Sequence, residues 1–282
     1  MNTRTFHEWL NASRPRPLVM GILNVTPDSF SDGGKFLALS QAADHALQMI
    51  AEGADLLDIG GESTRPGAAR ASADEQIERI VPVIERIRRE SDIAISVDTT
   101  LVPVLESAAD AGASLLNDIS AGREDATLLT LAANRGLPVV LMHMLGEPRT
   151  MQLNPVYQDV TREVRAFLLR RAEAARLAGV PAKHILIDPG IGFGKTTEHN
   201  LQILHDLDQI ADDGYRVLLG TSRKQFIGAV TQVAQPAERV FGTTATVAWG
   251  ICHGASIVRV HDVAATVQTV KMIQAIRDSN GH

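Results

Sequence analysis

The chain has 282 residues, 45% hydrophobic and 21% charged, with a formal net charge of -6. This suffices for a full soluble core and argues against a protein that holds nucleic acid by a general basic surface. A single cysteine, Cys252, excludes an intramolecular disulfide and zinc-finger readings, and no apolar run approaches the ~18 residues of a membrane span. The N-terminal stretch lacks the continuous apolar core of a signal peptide. The expectation is a cytoplasmic enzyme or binding protein that engages neither membrane nor nucleic acid.

Along the chain, short apolar runs alternate with segments of helical period. The strand-like runs are Leu18–Val25, Asp55–Gly60, Ala94–Asp98, Ser114–Ile119, Val139–Met144, Ile185–Asp188, Val217–Gly220 and Ile257–His261. Near-continuous apolar strands of this kind suit a parallel sheet buried on both faces. Between them, Ser40 precedes an apolar stripe at Leu47 and Ile50. Ser72 and Glu75 form a capping box before Ile77, Ile80, Val81, Ile84 and Ile87. A long helix is expected from Arg162 to Gly179, and a last one carries Val263, Val267 and Val270. Eight strand-then-helix units point to a single α/β domain, a (β/α)8 barrel over 18–282, preceded by an extension over 1–17 that carries no motif. An open doubly wound sheet lacks its glycine fingerprint after the first strand.

In such a barrel, function sits where the strands end. The eight ends carry Asn24 and Asp28; Glu62, Thr64 and Arg65; Asp98; Asn117 and Asp118; His143; Asp188 and Lys195; Ser222, Arg223 and Lys224; Arg259, His261 and Asp262. Any one Asp or Asn is explained as a turn former or helix cap, but caps do not demand Arg, Lys and His as well. Gly194-Lys195-Thr196 mimics the end of a phosphate-binding P-loop. That pattern needs Gly at position 189, which is Pro189, so nucleotide binding there is rejected.

The segments Gly21–Gly34, Asp58–Gly67, Ser96–Thr99, Asn117–Ile119, Met142–Met144, Asp188–Lys195, Ser222–Lys224 and Arg259–Asp262 together resemble the dihydropteroate synthase family of pterin-binding barrels, from about Val19 onward. The resemblance implies an alkyl transferase of folate biosynthesis that joins a dihydropterin-methyl diphosphate to 4-aminobenzoate, releasing diphosphate. It implies Mg²⁺ on Asn24, the diphosphate end of the substrate on Thr64, Arg259 and His261, and the pterin on Asp98, Asn117, Asp188 and Lys224. It further implies 4-aminobenzoate against Phe30, Pro66, Phe193 and Ser222, a homodimer, and inhibition by sulfonamides. The catalytic set is Asp98, Arg65 and Lys224.

The residue types suit that chemistry. A departing polyanion needs cations and oriented N–H donors. Arg259 and His261 leave one strand two residues apart, hence on one face, and Arg65 lies on the second loop. Asn24 offers a neutral oxygen suited to Mg²⁺, which takes its other ligands from water and phosphate. A pterin presents a 2-amino group beside an N–H, and the Asp188 carboxylate can accept from both. Ser222 is expected to open the helix after the seventh strand.

Overall fold

The computed structural model describes residues 1–13, 15–26, 34–63, 70–147 and 150–279, the side chains of 34–38 excepted. Asp28, Phe30, Thr64, Arg65 and Pro66 therefore lie outside the described residues. The strands are β1 (Leu18–Asn24), β2 (Leu56–Gly60), β3 (Ala94–Asp98), β4 (Leu115–Asp118), β5 (Val139–Met142), β6 (Ile185–Asp188), β7 (Arg216–Leu219) and β8 (Ala255–Val260). They pair in parallel, in sequence order, into a closed barrel. The helices are α1 (Thr3–Asn11), α2 (Gly34–Ala51), α3 (Ala73–Arg88), α4 (Val102–Asp110), α5 (Thr127–Asn134), α6 (Val160–Leu177), α7 (Thr197–His205), α8 (Leu207–Ala211), α9 (Gln225–Thr231), α10 (Val240–Cys252) and α11 (Val263–Asp278).

Strand alternation divides the apolar residues between two cores. Val19, Leu23, Leu57, Ile59, Ile95, Val97, Val258 and Val260 face the helices in one cluster. Leu18, Met20, Leu56, Ala94, Leu115, Val140, Leu186, Leu218 and Ile257 fill the lower barrel interior together with Phe6, Trp9 and Leu10. The motif-free N-terminal segment is thus the floor of the barrel. Asn2 caps α1 by accepting from Thr5 N at 2.9 Å, and Arg216 reaches back to the Trp9 and Leu10 carbonyls at 3.3 Å each. Those bonds satisfy orphan groups at both helix ends.

Two helix starts differ from expectation. The capping box of α3 is present, with Glu75 N on Ser72 Oγ at 3.2 Å and Ser72 N on Glu75 Oε2 at 2.8 Å. In contrast α2 begins at Gly34, six residues before Ser40, and α6 begins at Val160 behind the N-cap Asp159.

Candidate active site

Period two along the strands decides which polar residues face inward. On β1, Asn24 continues the inward row of Leu18 and Met20. Leu56 is followed by Asp58 and Gly60, Ala94 by Ser96 and Asp98, Leu115 by Asn117, Val140 by Met142, Leu186 by Asp188, and Ile257 by Arg259 and then His261. Asp98 lies opposite Gly60 and Asn117 in the ladder, and Asp188 opposite Met142. The interior is therefore oily at the floor and polar at the mouth. Asp118 points the other way and caps its own loop, accepting from Ser120 N at 2.7 Å.

At the centre of the polar layer, Arg259 Nε donates to Asp58 Oδ2 at 2.6 Å and Nη2 to Asp98 Oδ2 at 3.0 Å. Asn117 Nδ2 donates to the same Asp58 oxygen at 3.1 Å. Burial works against the guanidinium charge, yet the Asp58 and Asp98 carboxylates outweigh it and raise the Arg259 pKa. Burial and the negative charge of Asp58 push Asp98 up to about 7. Asp58 Oδ1 and Ser96 Oγ, on paired positions of β2 and β3, have no protein partner among the described residues.

Asp188 is raised by burial, against the pull of Lys224. Lys224 in turn is lowered by burial to about 8, against the pull of Asp188. One Asp188 oxygen also performs the local task usual for Asp, accepting from Gly190 N at 2.7 Å. Gly190 has φ +65°, and a Cβ there would lie 1.9 Å from the His143 carbonyl oxygen. Its close approach is therefore to the segment after β5. Lys224 donates to the Ile191 carbonyl and holds its ammonium 4.3 Å from the centre of the Phe193 ring.

The β7 and β8 ends are tied together. Ser222 Oγ lies 2.9 Å from His261 Nδ1 and accepts from His261 N at 3.1 Å. Ser222 precedes the N-cap Lys224 by two residues, so α9 opens at Gln225 and not at Ser222 as expected. Between them Arg223 sits at φ +60°, in the left-handed region that costs a non-glycine residue energy. Its guanidinium grips Asp262 at 3.0 and 2.6 Å, its N–H goes to Thr243 Oγ1 at 3.1 Å, and its carbonyl accepts from Arg239 at 2.9 Å. These bonds hold the strained turn from which Ser222 and Lys224 project.

The family model described as Pterin binding enzyme matches residues 20–261. A dihydropteroate synthase of Synechocystis sp. is 47% identical over 261 residues, 93% of this chain and 90% of that protein. The chain belongs to the dihydropteroate synthase family of pterin-binding enzymes. Among solved structures, the dihydropteroate synthase of Xanthomonas albilineans with 4-aminobenzoic acid superposes with a TM-score of 0.88 at 46% identity, covering 95% of this chain and 94% of that one. The Yersinia pestis enzyme in a sulfonamide drug complex gives 0.88 at 46%, covering 93% and 95%.

Of the residues singled out in sequence, the barrel brings Asn24, Asp98, Asn117, Asp188, Ser222, Lys224, Arg259 and His261 to one end, with Phe193 on the loop after β6. Asp58 opens one of the sequence motifs but is assigned no role there. In this dihydropteroate synthase family member it is the shared anchor of Arg259 and Asn117. The available signal was its position: an Asp mid-strand, on the inward side of Gly60.

Proposed function

We propose that the chain is a dihydropteroate synthase, joining (7,8-dihydropterin-6-yl)methyl diphosphate to 4-aminobenzoate to give 7,8-dihydropteroate and diphosphate. The observation that carries this is the inward ring of Asp98, Asn117, Asp188 and Arg259, with Lys224 above it, in a member of that family. Asp188 accepts from the pterin 2-amino group and the adjacent ring N–H. Asn117, its amide plane fixed by the bond to Asp58, and Lys224 serve the remaining edge of the ring. Arg259, held from beneath by two carboxylates, directs its remaining N–H groups at the diphosphate. His261, tied to Ser222 through Nδ1 at 2.9 Å, serves as a second contact there.

The C–O bond of the pterin methylene breaks, and its electron pair leaves with diphosphate. The lone pair of the aromatic amine forms the new C–N bond, after which that nitrogen loses a proton. Asp98 stabilises positive charge developing on the pterin-methylene, and Arg65 and Lys224 complete the catalytic set. Phe193 supplies one wall for the aminobenzoate ring, with Phe30, Pro66 and Ser222 as its other contacts. A sulfonamide presents the same aniline ring and competes for that place.

Among the described residues no group of three or more His, Cys, Asp or Glu could hold a metal ion. The lone neutral oxygen of Asn24 fits Mg²⁺ that arrives with the diphosphate and neutralises part of its charge. A strong chelator should then abolish activity and leave the thermal midpoint of the ligand-free protein in place. The exposed Phe241 and Trp249 on α10 and Met272 and Ile276 on α11 support a homodimer through these adjacent helices, which sedimentation tests. A cytoplasmic location accords with the absence, among the described residues, of any helix long and apolar enough to cross a membrane.

The deciding experiment is release of diphosphate from the pterin diphosphate with and without 4-aminobenzoate. Release that depends on the amine and yields dihydropteroate supports the assignment. Binding without turnover overturns it.

A further inference from the structure

We infer that Lys195 is a positioning residue for the 4-aminobenzoate half of the reaction, acting through the backbone of the loop that carries Phe193. The inference rests on the reading above, in which Phe193 walls that half-site. Lys195 is the lysine of the rejected P-loop pattern. It is 2% exposed and turns inward beneath its own loop.

There its ammonium meets His143 Nδ1 at 2.9 Å, the Gly190 carbonyl at 2.9 Å and the Phe193 carbonyl at 3.0 Å. A fourth, longer contact reaches the His143 carbonyl at 3.5 Å, so the three donors of the ammonium are fully used. The other carbonyls of the loop are also taken by side chains: Ile191 by Lys224, Gly192 by Gln152 at 2.6 Å, and Gly194 by Tyr157 at 2.8 Å. Five consecutive carbonyl groups thus accept from side chains, and Lys195 holds two of them, at either end of the Gly190–Phe193 turn.

The holds differ in kind. Lys224 is shared with the pterin in the reading above, and Gln152 stands in solvent. Lys195 has no such second task. Asp188 is held in addition by the β5 ladder and by the bond from His143 N to its carbonyl at 2.9 Å, neither of which Lys195 makes. Loss of Lys195 should therefore loosen Phe193 more than the pterin carboxylate. Burial lowers the pKa of the Lys195 ammonium well below its ordinary value, and the charge of Asp188 opposes that shift.

The test is a double-mutant cycle on the full chain with Lys195→Met and Phe193→Ala. It reads the KM for 4-aminobenzoate, kcat, and the calorimetric Kd of a 6-hydroxymethylpterin. Lys195→Met is expected to raise that KM about tenfold, with pterin Kd held within about twofold. In the Phe193→Ala background the same change should add less than about twofold, because both act through one ring. Equal losses of pterin and 4-aminobenzoate binding, or additive effects, would show a merely structural lysine and overturn the inference. An unchanged KM in Phe193→Ala alone would instead remove Phe193 from the half-site, and the inference with it. If Lys195→Met does not fold, Lys195→Gln keeps a donor but cannot span both loop carbonyls; a selective rise in the same KM then supports the inference, and no rise overturns it.

Discussion

Arg259 Nε and Asp58 Oδ2 meet at 2.6 Å, across the junction of β8, β1 and β2, with no part of the Asp58 side chain exposed. A carboxylate so placed is an anchor: it is sealed beneath the cation that it orients, and it also receives Asn117. Asp58→Asn keeps the shape and removes the charge. Breaking one side of a buried ion pair costs roughly 3–5 kcal/mol. Part of that loss should be seen in stability and part in diphosphate recognition. The expected result is a lowered thermal midpoint together with at least about a tenfold weaker inhibition by inorganic diphosphate. A variant that loses stability but inhibits normally would show that Asp58 supports the fold and does not aim Arg259.

Asp188→Asn replaces a double acceptor with a group that presents N–H to the pterin's own donors. A charged hydrogen bond is worth about 1.5–3 kcal/mol, so calorimetry with a pterin analogue should show a loss of that order. Lys224 should titrate lower still, since the charge of Asp188 is what opposes its burial. Unchanged pterin affinity would remove Asp188 from the ring pocket.

The same layer sets a pH profile. Asp98, raised to about 7 by burial and by Asp58, must lose its proton to stabilise positive charge. Lys224, lowered to about 8 by burial, must keep its own. The kcat/KM for the pterin diphosphate should therefore rise through about 7 and fall beyond about 8, because this ratio reports the free enzyme. Stability follows the opposite sign for Asp98: the folded form holds the proton more tightly than the unfolded one, whose value is 3.8. Its contribution is fully present below that value and is lost as pH rises through 7. Asp98→Asn should abolish the acid limb, and an intact limb in that variant would assign it to another group.

The barrel and its mouth were legible because a parallel strand buried on both faces reads as an apolar run, and the run ends where a polar residue turns inward. Asp188, Arg259 and His261 announce themselves in this way. Asp58 does not, since its role depends on which neighbour reaches it across the barrel. The five carbonyl bonds after β6 were invisible for a different reason: backbone acceptors carry no sequence identity, and Lys195 could be read only as a failed phosphate loop. The start of α2 was missed because Gly34 gives no capping signal, whereas Ser40 offers a false one. Phe6, Trp9 and Leu10 do have helical spacing, but nothing in a nine-residue helix tells which surface it will close.

That last point yields a test far from the chemistry. Trp9 stacks on Phe6 with ring centroids 5.8 Å apart, lies under the Arg216 guanidinium at 4.7 Å, and donates to the Arg16 carbonyl at 2.8 Å. Arg16 in turn forms an ion pair with Asp55, whose carboxylate also accepts from Val19 N at 3.0 Å at the start of the first strand. The floor is therefore tied to the barrel by packing, by a cation over a ring and by the chain that leads into β1. Trp9→Ala should remove about 3–5 kcal/mol, which for a chain of this size is a fall in thermal midpoint of at least about 6 °C. The polar layer is separated from Trp9 by the apolar ring of Met20, Leu56, Ala94 and Leu115. At a temperature where the variant remains folded, KM for both substrates should thus stay within about twofold of the parent. A midpoint that hardly moves would show that α1 rests on the barrel without closing it. A preserved midpoint with a raised KM would place the helix in communication with the mouth, against the layered interior described above.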